Sequence, residues 1–365
     1  MSLEEILANT LSEIEKIQSI PAPTFQEMNR SDYMFAEFRK RGLESVEKDS
    51  IGNVLGFLTG GPEKPIVISA HLDTVHDQYT KYGLSKILSR WEGAGVGDNT
   101  TSLAVLLSLI DYFLNEKDHL KGGIWFVANV GEEGLGNLIG MKMVVDHFQD
   151  QVYAYVVLEG IGLGIIYHRA LGVKRYQLSV MTHGGHAWGE YGKKSAISEL
   201  VIRINRLLKM EIPKFPKSSL NIGTISGGGS INSIAKRAYC QFEFRSSDEN
   251  VLNRMEVRIK NLLLEEKCQD VSIELDLIGD RPFGFISEDH PLVKCAVSSL
   301  NKIGIEPVLA IGSTDASYPL SKGYPSICVC ITSGGDVHTE NEYIDIDNIP
   351  KGFLQVKNII EHIWD

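Results

Sequence analysis

The stretch Pro65-Ile66-Val67-Ile68-Ser69-Ala70-His71-Leu72-Asp73-Thr74-Val75 decides how this chain is read. It opens with a short apolar, partly β-branched run behind a proline, the pattern of a buried strand. His71 and Asp73 emerge at the carboxyl end of that strand, the edge at which open α/β sheets bind ligands. One residue separates them, so in extended chain both side chains point the same way. Asp73 can then fix the ring of His71 while the other ring nitrogen meets a metal. Taken alone, however, such a pair is more often a satisfied histidine at a strand end, and the rest of the chain has to decide.

Working outward, strand and helix alternate. Residues 3–17 and 25–40 carry helical apolar spacing and are joined across Pro21 and Pro23. Residues 51–58 read as a strand, separated from the opening stretch by the turn Thr59-Gly60-Gly61-Pro62. On the other side, residues 76–93 form a polar loop in which Trp91 and Tyr79 are placed to line a pocket. A helix over 100–113 follows Asp98. A strand over 123–130 ends in Gly131-Glu132-Glu133-Gly134, a helix runs to 148, and a strand over 152–158 leads directly into Glu159. This rhythm predicts an α/β sheet.

Around residue 171 the pattern changes. Strand-like runs at 174–182, 220–225, 238–245 and 271–277 enclose helices at 196–210 and 252–264, the make-up of a small antiparallel α+β domain. After Arg281-Pro282 the first rhythm resumes with a helix from 291, strands at 307–311 and 326–332, and a last helix from 350. The predicted organisation is a discontinuous α/β domain over 1–171 and 283–365, with an inserted α+β domain over 172–282.

Composition narrows the function classes. In 365 residues, 36 Lys and Arg stand against 47 Asp and Glu, a formal net charge of −11. That balance argues against nucleic acid or an anionic membrane as the main partner. Five cysteines without regular spacing suggest reduced thiols and a cytoplasmic protein. The acidic amphipathic start lacks the features of a signal peptide, and no segment is apolar over a bilayer-spanning length. Gly227-Gly228-Gly229 has no following helix with a Lys, which argues against a phosphate loop.

The observations gain force together. Four strand-like runs deliver acids or imidazoles at their carboxyl ends: His71 and Asp73, Glu132 and Glu133, Glu159, then Asp336 and His338, with Asp98 added at a helix start. Singly, each reads as a surface turn or a structural histidine. Along one sheet edge, so many carboxylates are costly without cations. Nitrogen and carboxylate donors suit zinc best, with cobalt or manganese as alternatives, and two metals spread the charge better than one.

The motifs His71-Leu72-Asp73-Thr74-Val75, Gly97-Asp98-Asn99, Gly131-Glu132-Glu133-Gly134, Glu159 and His338 resemble, in kind and order, those of metallopeptidase family twenty, the two-zinc exopeptidases and deacylases that include peptidase T. The resemblance implies a zinc-exopeptidase-like catalytic domain with a mixed sheet and an inserted lid. It implies that Asp98 bridges two zinc ions, that His71 and Glu159 complete one site, and that Glu133 and His338 complete the other. Glu132 would be the general base and Asp73 the partner that orients His71. Such a base takes a proton from water and passes it to the leaving amine. Gly184-Gly185-His186-Ala187 resembles the lid motif whose histidine stabilises an oxyanion, often across a homodimer formed through the lid. Asn232 and Arg245 fall where the family grips a substrate carboxylate, for which an arginine fork is suited; an interdomain salt bridge is the rival role for Arg245. Gly312-Ser313-Thr314-Asp315 resembles another substrate-side loop.

The chain departs from the family at Asn99-Thr100-Thr101 and at Trp188, which bears on substrate rather than metal. His76, His168 and His183 are read as structural. The expected activity is hydrolysis of small peptides by a tripeptidase- or dipeptidase-like exopeptidase. The alternatives are an N-acyl-amino-acid deacylase or carboxypeptidase with the same machinery, and a metal-stabilised binding protein without catalysis. Glu132 argues against the last, because a binding module needs no base beside a metal.

Overall fold

A computed structural model of the chain describes residues 2–264 and 270–365. The chain divides into two compact units, Met1–Ala170 with Phe283–Asp365, and Leu171–Pro282.

The first unit is built on a mixed sheet. In spatial order its strands are Glu44–Lys48, Val54–Leu58, Gly122–Asn129, Glu63–His71, Tyr155–Ile161, Ser326–Thr332, Ile165–Ala170 and Gly284–Phe285, with Val308–Gly312 also paired to Ile165–Ala170. The four central strands, from Gly122–Asn129 to Ser326–Thr332, run parallel and bring their carboxyl ends to one edge. Ile66, Ile68 and Ala70 face one apolar core with Ile14, Leu106 and Phe353 from three helices. Val67 faces a second core with Val145, Phe148 and Leu320. Helices therefore cover both sides, which is why the strand reads as a continuous apolar run. Each such side chain contributes about 1.5–3 kcal/mol on burial. Ile68→Ala would remove that contribution and leave a cavity, at a cost of about 2–5 kcal/mol.

Helix limits follow from local chemistry. Leu3–Gln18 starts with a capping box in which Ser2 and Glu5 satisfy each other's backbone N–H groups. Met28–Arg41 begins later than its apolar spacing suggests, because Phe25 has φ 72°, a left-handed conformation that no right-handed helix contains. It stops at Gly42, whose φ of 87° closes the helix.

The fold class is the one expected, but several details differ. Glu44–Lys48 is a strand whose charged, exposed residues hide it in the sequence; charge of this kind is how an edge strand avoids wrong pairing. Residues 51–53 lie not in a strand but in a turn, where Asp49 Oδ1 accepts the N–H groups of Ile51, Gly52 and Asn53 at 3.0 Å each. The polar loop at 76–93 contains the hairpin Ser85–Ile87 and Arg90–Glu92. Its Trp91 is buried in the core beneath Lys86 and Tyr79 is exposed, so the two do not share a pocket wall. Glu159 lies within its strand, opposite Cys330, rather than after it.

The second unit is a four-stranded antiparallel sheet in the order Ser218–Gly227, Arg237–Ser246, Gly172–Thr182 and Val271–Arg281. Helices Ala196–Leu208 and Glu249–Leu264 pack against its middle strands. Among the described residues no helix is long and apolar enough to cross a membrane, and Cys240, Cys295, Cys328 and Cys330 are free thiols.

Candidate metal centre

The parallel strands place the acidic and imidazole groups of the first unit together. His71 ends its strand with the side chain buried, and its Nδ1 lies 3.0 Å from the Asp73 carbonyl and 3.4 Å from Asp73 Oδ1. Its Nε2 is thereby turned outward, 3.1 Å from Asp98 Oδ1 and 3.6 Å from Glu159 Oε2. The other Asp98 oxygen, Oδ2, lies 3.1 Å from His338 Nε2, and that nitrogen is 3.3 Å from Glu133 Oε1. Asp98 thus sits between two imidazoles, each with its own glutamate.

Several contacts hold these loops. A Cβ on Gly160 would fall 1.8 Å from the Gly97 carbonyl, so only glycine lets the Asp98 turn come this close to the Glu159 strand. Asn99, one of the departures from the family pattern, donates to the Leu158 carbonyl at 2.9 Å and fastens the same turn. Asp73 does more than orient His71. Its Oδ1 accepts the N–H of Glu132 at 2.9 Å and its Oδ2 that of Glu133 at 2.8 Å, with Thr24 Oγ1 donating to Oδ2 at 2.9 Å. Glu132 and Glu133 are both buried.

Burial and mutual charge set the electrostatics of the cluster. Burial drives the Glu159 carboxyl up to about 7, helped by Asp98 and Glu132. Burial, Asp98 and Glu132 raise Glu133 to about 7 as well. Burial alone would lower the pKa of His71, but Glu159, Asp73 and Asp98 outweigh it and hold the imidazole well above its usual range. Hydrogen bonds to Asp98 and Glu133 raise His338 to about 10. Asp98 stays well below the usual carboxylate range because the two imidazoles overcome its burial. These carboxylates and imidazoles are groups that divalent cations take up in exchange for protons. The donor set fits them: ligand atoms of His71, Asp98 and Glu133 lie within 4.8 Å of one another, and the buried Asp98 Oδ1 makes no hydrogen bond despite its short distance to His71.

Other residues lie around the centre, of which only Asp315, in the loop Gly312-Ser313-Thr314-Asp315, was marked from sequence. Arg30 is fully buried and donates to the carbonyls of Ile20 and Leu72 beside the His71 turn. Glu27 Oε1 accepts the Gly131 N–H at 3.1 Å. Asp315 is buried with Asn129 Nδ2 2.6 Å from its Oδ2, and burial and Glu132 raise it to about 8. Glu342 accepts backbone N–H groups from Gly97, Asp98 and His338. No local pattern marks a lone buried Arg or Glu such as Arg30 or Glu27. The spacing of Glu342 four residues after His338 was the one available signal. Of the histidines read as structural, His168 is held by the Ile286 carbonyl at 2.8 Å, whereas His76 is buried with Nε2 unpartnered.

His186, Asn232 and Arg245 belong to the second unit. His186 and Asn232 are brought side by side by the short ribbon Gly185–His186 and Ser233–Ile234, in which the Asn232 carbonyl accepts the Ala187 N–H at 3.0 Å. His186 Nδ1 accepts the N–H groups of Trp188 and Gly189, leaving Nε2 to face outward. Arg245 Nε is engaged by Glu243 at 2.7 Å, within its own strand.

Imidazoles and carboxylates converging on one edge of a mixed α/β sheet, with the buried acid Glu132 adjoining them, are the equipment of a metallo-amidohydrolase. The chain belongs to Peptidase family M20/M25/M40, whose model matches residues 67–362. It is 23% identical to peptidase T of Bacillus subtilis over 385 residues, covering 92% of this chain and 91% of that one. Among solved structures, a tripeptidase of Staphylococcus aureus superposes with TM-score 0.78 at 21% identity, covering 97% of this chain and 98% of that chain. The YXEP protein of Bacillus subtilis, described as a dinuclear metal binding peptidase, superposes with TM-score 0.67 at 14% identity, covering 99% of each chain.

Proposed function

We propose that the protein is a two-metal exopeptidase that cleaves amide bonds of small peptides, most like the tripeptidases and dipeptidases. One observation carries the reading: the two oxygens of Asp98 face two different imidazoles, each at 3.1 Å, and a separate glutamate adjoins each imidazole. His71, Glu159 and Asp98 would hold one metal ion, and His338, Glu133 and Asp98 the other. The preferred ion is zinc, with cobalt or manganese as substitutes. When bound, the ions supply Lewis acidity, which makes water acidic near neutral pH and draws charge from a scissile carbonyl.

The chain's own groups do the rest. Asp73 sets the ring of His71 and, through two backbone N–H groups, the position of Glu132 and Glu133. Glu132, buried and adjacent in the chain to the ligand Glu133, is the general base: its carboxylate takes a proton from the attacking water and returns it to the leaving amine. In the second unit His186 presents Nε2 as a donor to the oxyanion, and Asn232 and Arg245 grip the substrate carboxylate. Arg245 exchanges Glu243 for that ligand or shares its fork between them. The same unit is the family's lid and homodimer contact, the latter supported by the outer position of Ser218–Gly227 in its sheet among the described residues. The free thiols support a cytoplasmic setting.

Metal analysis joined to an activity panel tests the proposal. Two divalent ions per chain and turnover of di- or tripeptides are expected. Turnover of N-acetyl amino acids alone would replace peptidase by deacylase. Glu132→Gln should keep both ions and lose about 10²–10⁴-fold in kcat, since only the proton acceptor is removed; near-normal turnover would remove Glu132 from the mechanism.

A further inference from the structure

Asp98 and His338 meet side chain to side chain although 240 residues separate them. Something must hold their two loops in register. The Asp98 turn lies between Gly95 and the helix Ser102–Glu116, and His338 lies at the tip of a hairpin made by Gly334–Gly335 and Tyr343–Asp345. Thr339 ties that tip together locally, its N–H and hydroxyl donating to the Asp336 carbonyl, but neither bond reaches the Asp98 turn. Asp336 has φ 54° and His338 φ 67°, conformations unfavourable to residues with a Cβ, and the His338 side chain is half exposed.

Glu342, at the far end of the tip, is fully buried. Its Oε1 accepts the N–H of Gly97 at 2.7 Å and that of Asp98 at 2.8 Å. Its Oε2 accepts the N–H of His338 at 3.2 Å. Its carbonyl also accepts the Gly93 N–H at 2.8 Å. We propose that Glu342 is a positioning residue for the metal centre, a single buried carboxylate that fastens the backbone of Asp98 to the backbone of His338. The inference rests on the reading of Asp98 and His338 as metal ligands.

The residue type fits this task better than that of a plain loop clasp. Three N–H donors converge on it, and among side chains of this length only a carboxylate offers acceptors alone. Glutamine must turn its NH2 against one of the two loops. The three bonds of the Glu342 side chain go to the backbone of the two ligand-bearing loops and to nothing else that an isolated loop clasp would need, and ligands on separate loops need holding to about 0.5 Å.

The test compares wild type, Glu342→Gln and Glu342→Asp. Zn2+ and Co2+ affinity are measured by competition with a chromophoric chelator, the visible spectrum of the Co2+-loaded protein is recorded, and the EDTA-treated form is melted. Both variants should lose about 10–100-fold in affinity for at least one ion, with an altered Co2+ spectrum. Their metal-free melting temperatures should stay within about 4 °C of wild type. Wild-type affinity and an unchanged spectrum in both variants would overturn the proposal. So would failure of both to fold without metal, which would assign Glu342 to the fold alone. Wild type that takes up no ion in the same titration would instead refute the metal centre itself.

Discussion

Asp73→Asn is the most informative single substitution, because Asp73 joins the ring of His71 to the loop of Glu132 and Glu133. The side chain is fully buried, and its two oxygens accept the N–H groups of Glu132 and Glu133 at 2.9 and 2.8 Å and the hydroxyl of Thr24 at 2.9 Å. Asparagine keeps one acceptor and turns an NH2 toward the other position. The cheaper orientation puts the NH2 where Oδ2 was, since the Thr24 hydroxyl can rotate to accept. The Glu133 N–H then has no acceptor. Losing a charge-assisted hydrogen bond, or leaving a buried donor unpaired, costs about 1–3 kcal/mol each. The surviving bond to Glu132 weakens as the charge disappears. Relief of repulsion toward Glu27, whose pKa is raised by burial and by Asp73, offsets part of this. The hydrogen bonds are direct contacts and win, so the net loss should be about 2–4 kcal/mol. Urea unfolding of the EDTA-treated protein reads it, with Thr24→Ala as a control expected to cost about 1 kcal/mol. In the metal-loaded enzyme kcat should fall about 10–100-fold, because base and ligand shift together. If Asp73→Asn unfolds within about 0.5 kcal/mol of wild type and binds metal with unchanged affinity, the loop is held by something else.

Two further outcomes follow from the charge balance. Since hydrogen bonds to Asp98 and Glu133 raise His338 to about 10 and His71 also lies well above its usual range, metal binding at pH 7.5 should release on the order of two protons; calorimetry in buffers of different ionisation enthalpy measures this, and zero release would refute the protonated apo-state. In the second unit, Glu256 is drawn down to about 2 because Lys260, Tyr176 and Lys174 outweigh its burial. Its folded pKa is depressed, so its stabilisation is complete above about pH 4.5 and is lost as pH falls toward 2. Solvent around Lys260, nearly half exposed, screens the interaction to about 1 kcal/mol. The stability gap between wild type and Glu256→Gln should narrow by that amount from pH 5 to 2, and a constant gap would count against it.

The sequence by itself determined the α/β class, showed the change of pattern near residue 171 and, through the family resemblance, marked His71, Asp98, Glu133, Glu159 and His338 as candidate ligands. Burial leaves a local trace: a strand covered on both faces is apolar throughout, and polar groups just past its end stand out against it. Trp91 and the strand Glu44–Lys48 escaped that rule because one is a core residue inside a polar loop and the other a charged edge. Only the tertiary structure decided that the central strands lie in the order Gly122–Asn129, Glu63–His71, Tyr155–Ile161 and Ser326–Thr332. That order, not spacing along the chain, puts one oxygen of Asp98 before each imidazole. It also decided that Asp73 carries the Glu132–Glu133 loop as well as the His71 ring, and that Glu342 reaches across 244 residues to the Asp98 backbone. A carboxylate that accepts distant N–H groups looks, in sequence, like any acid in a polar loop, because its partners are set by how strands pair and not by its neighbours.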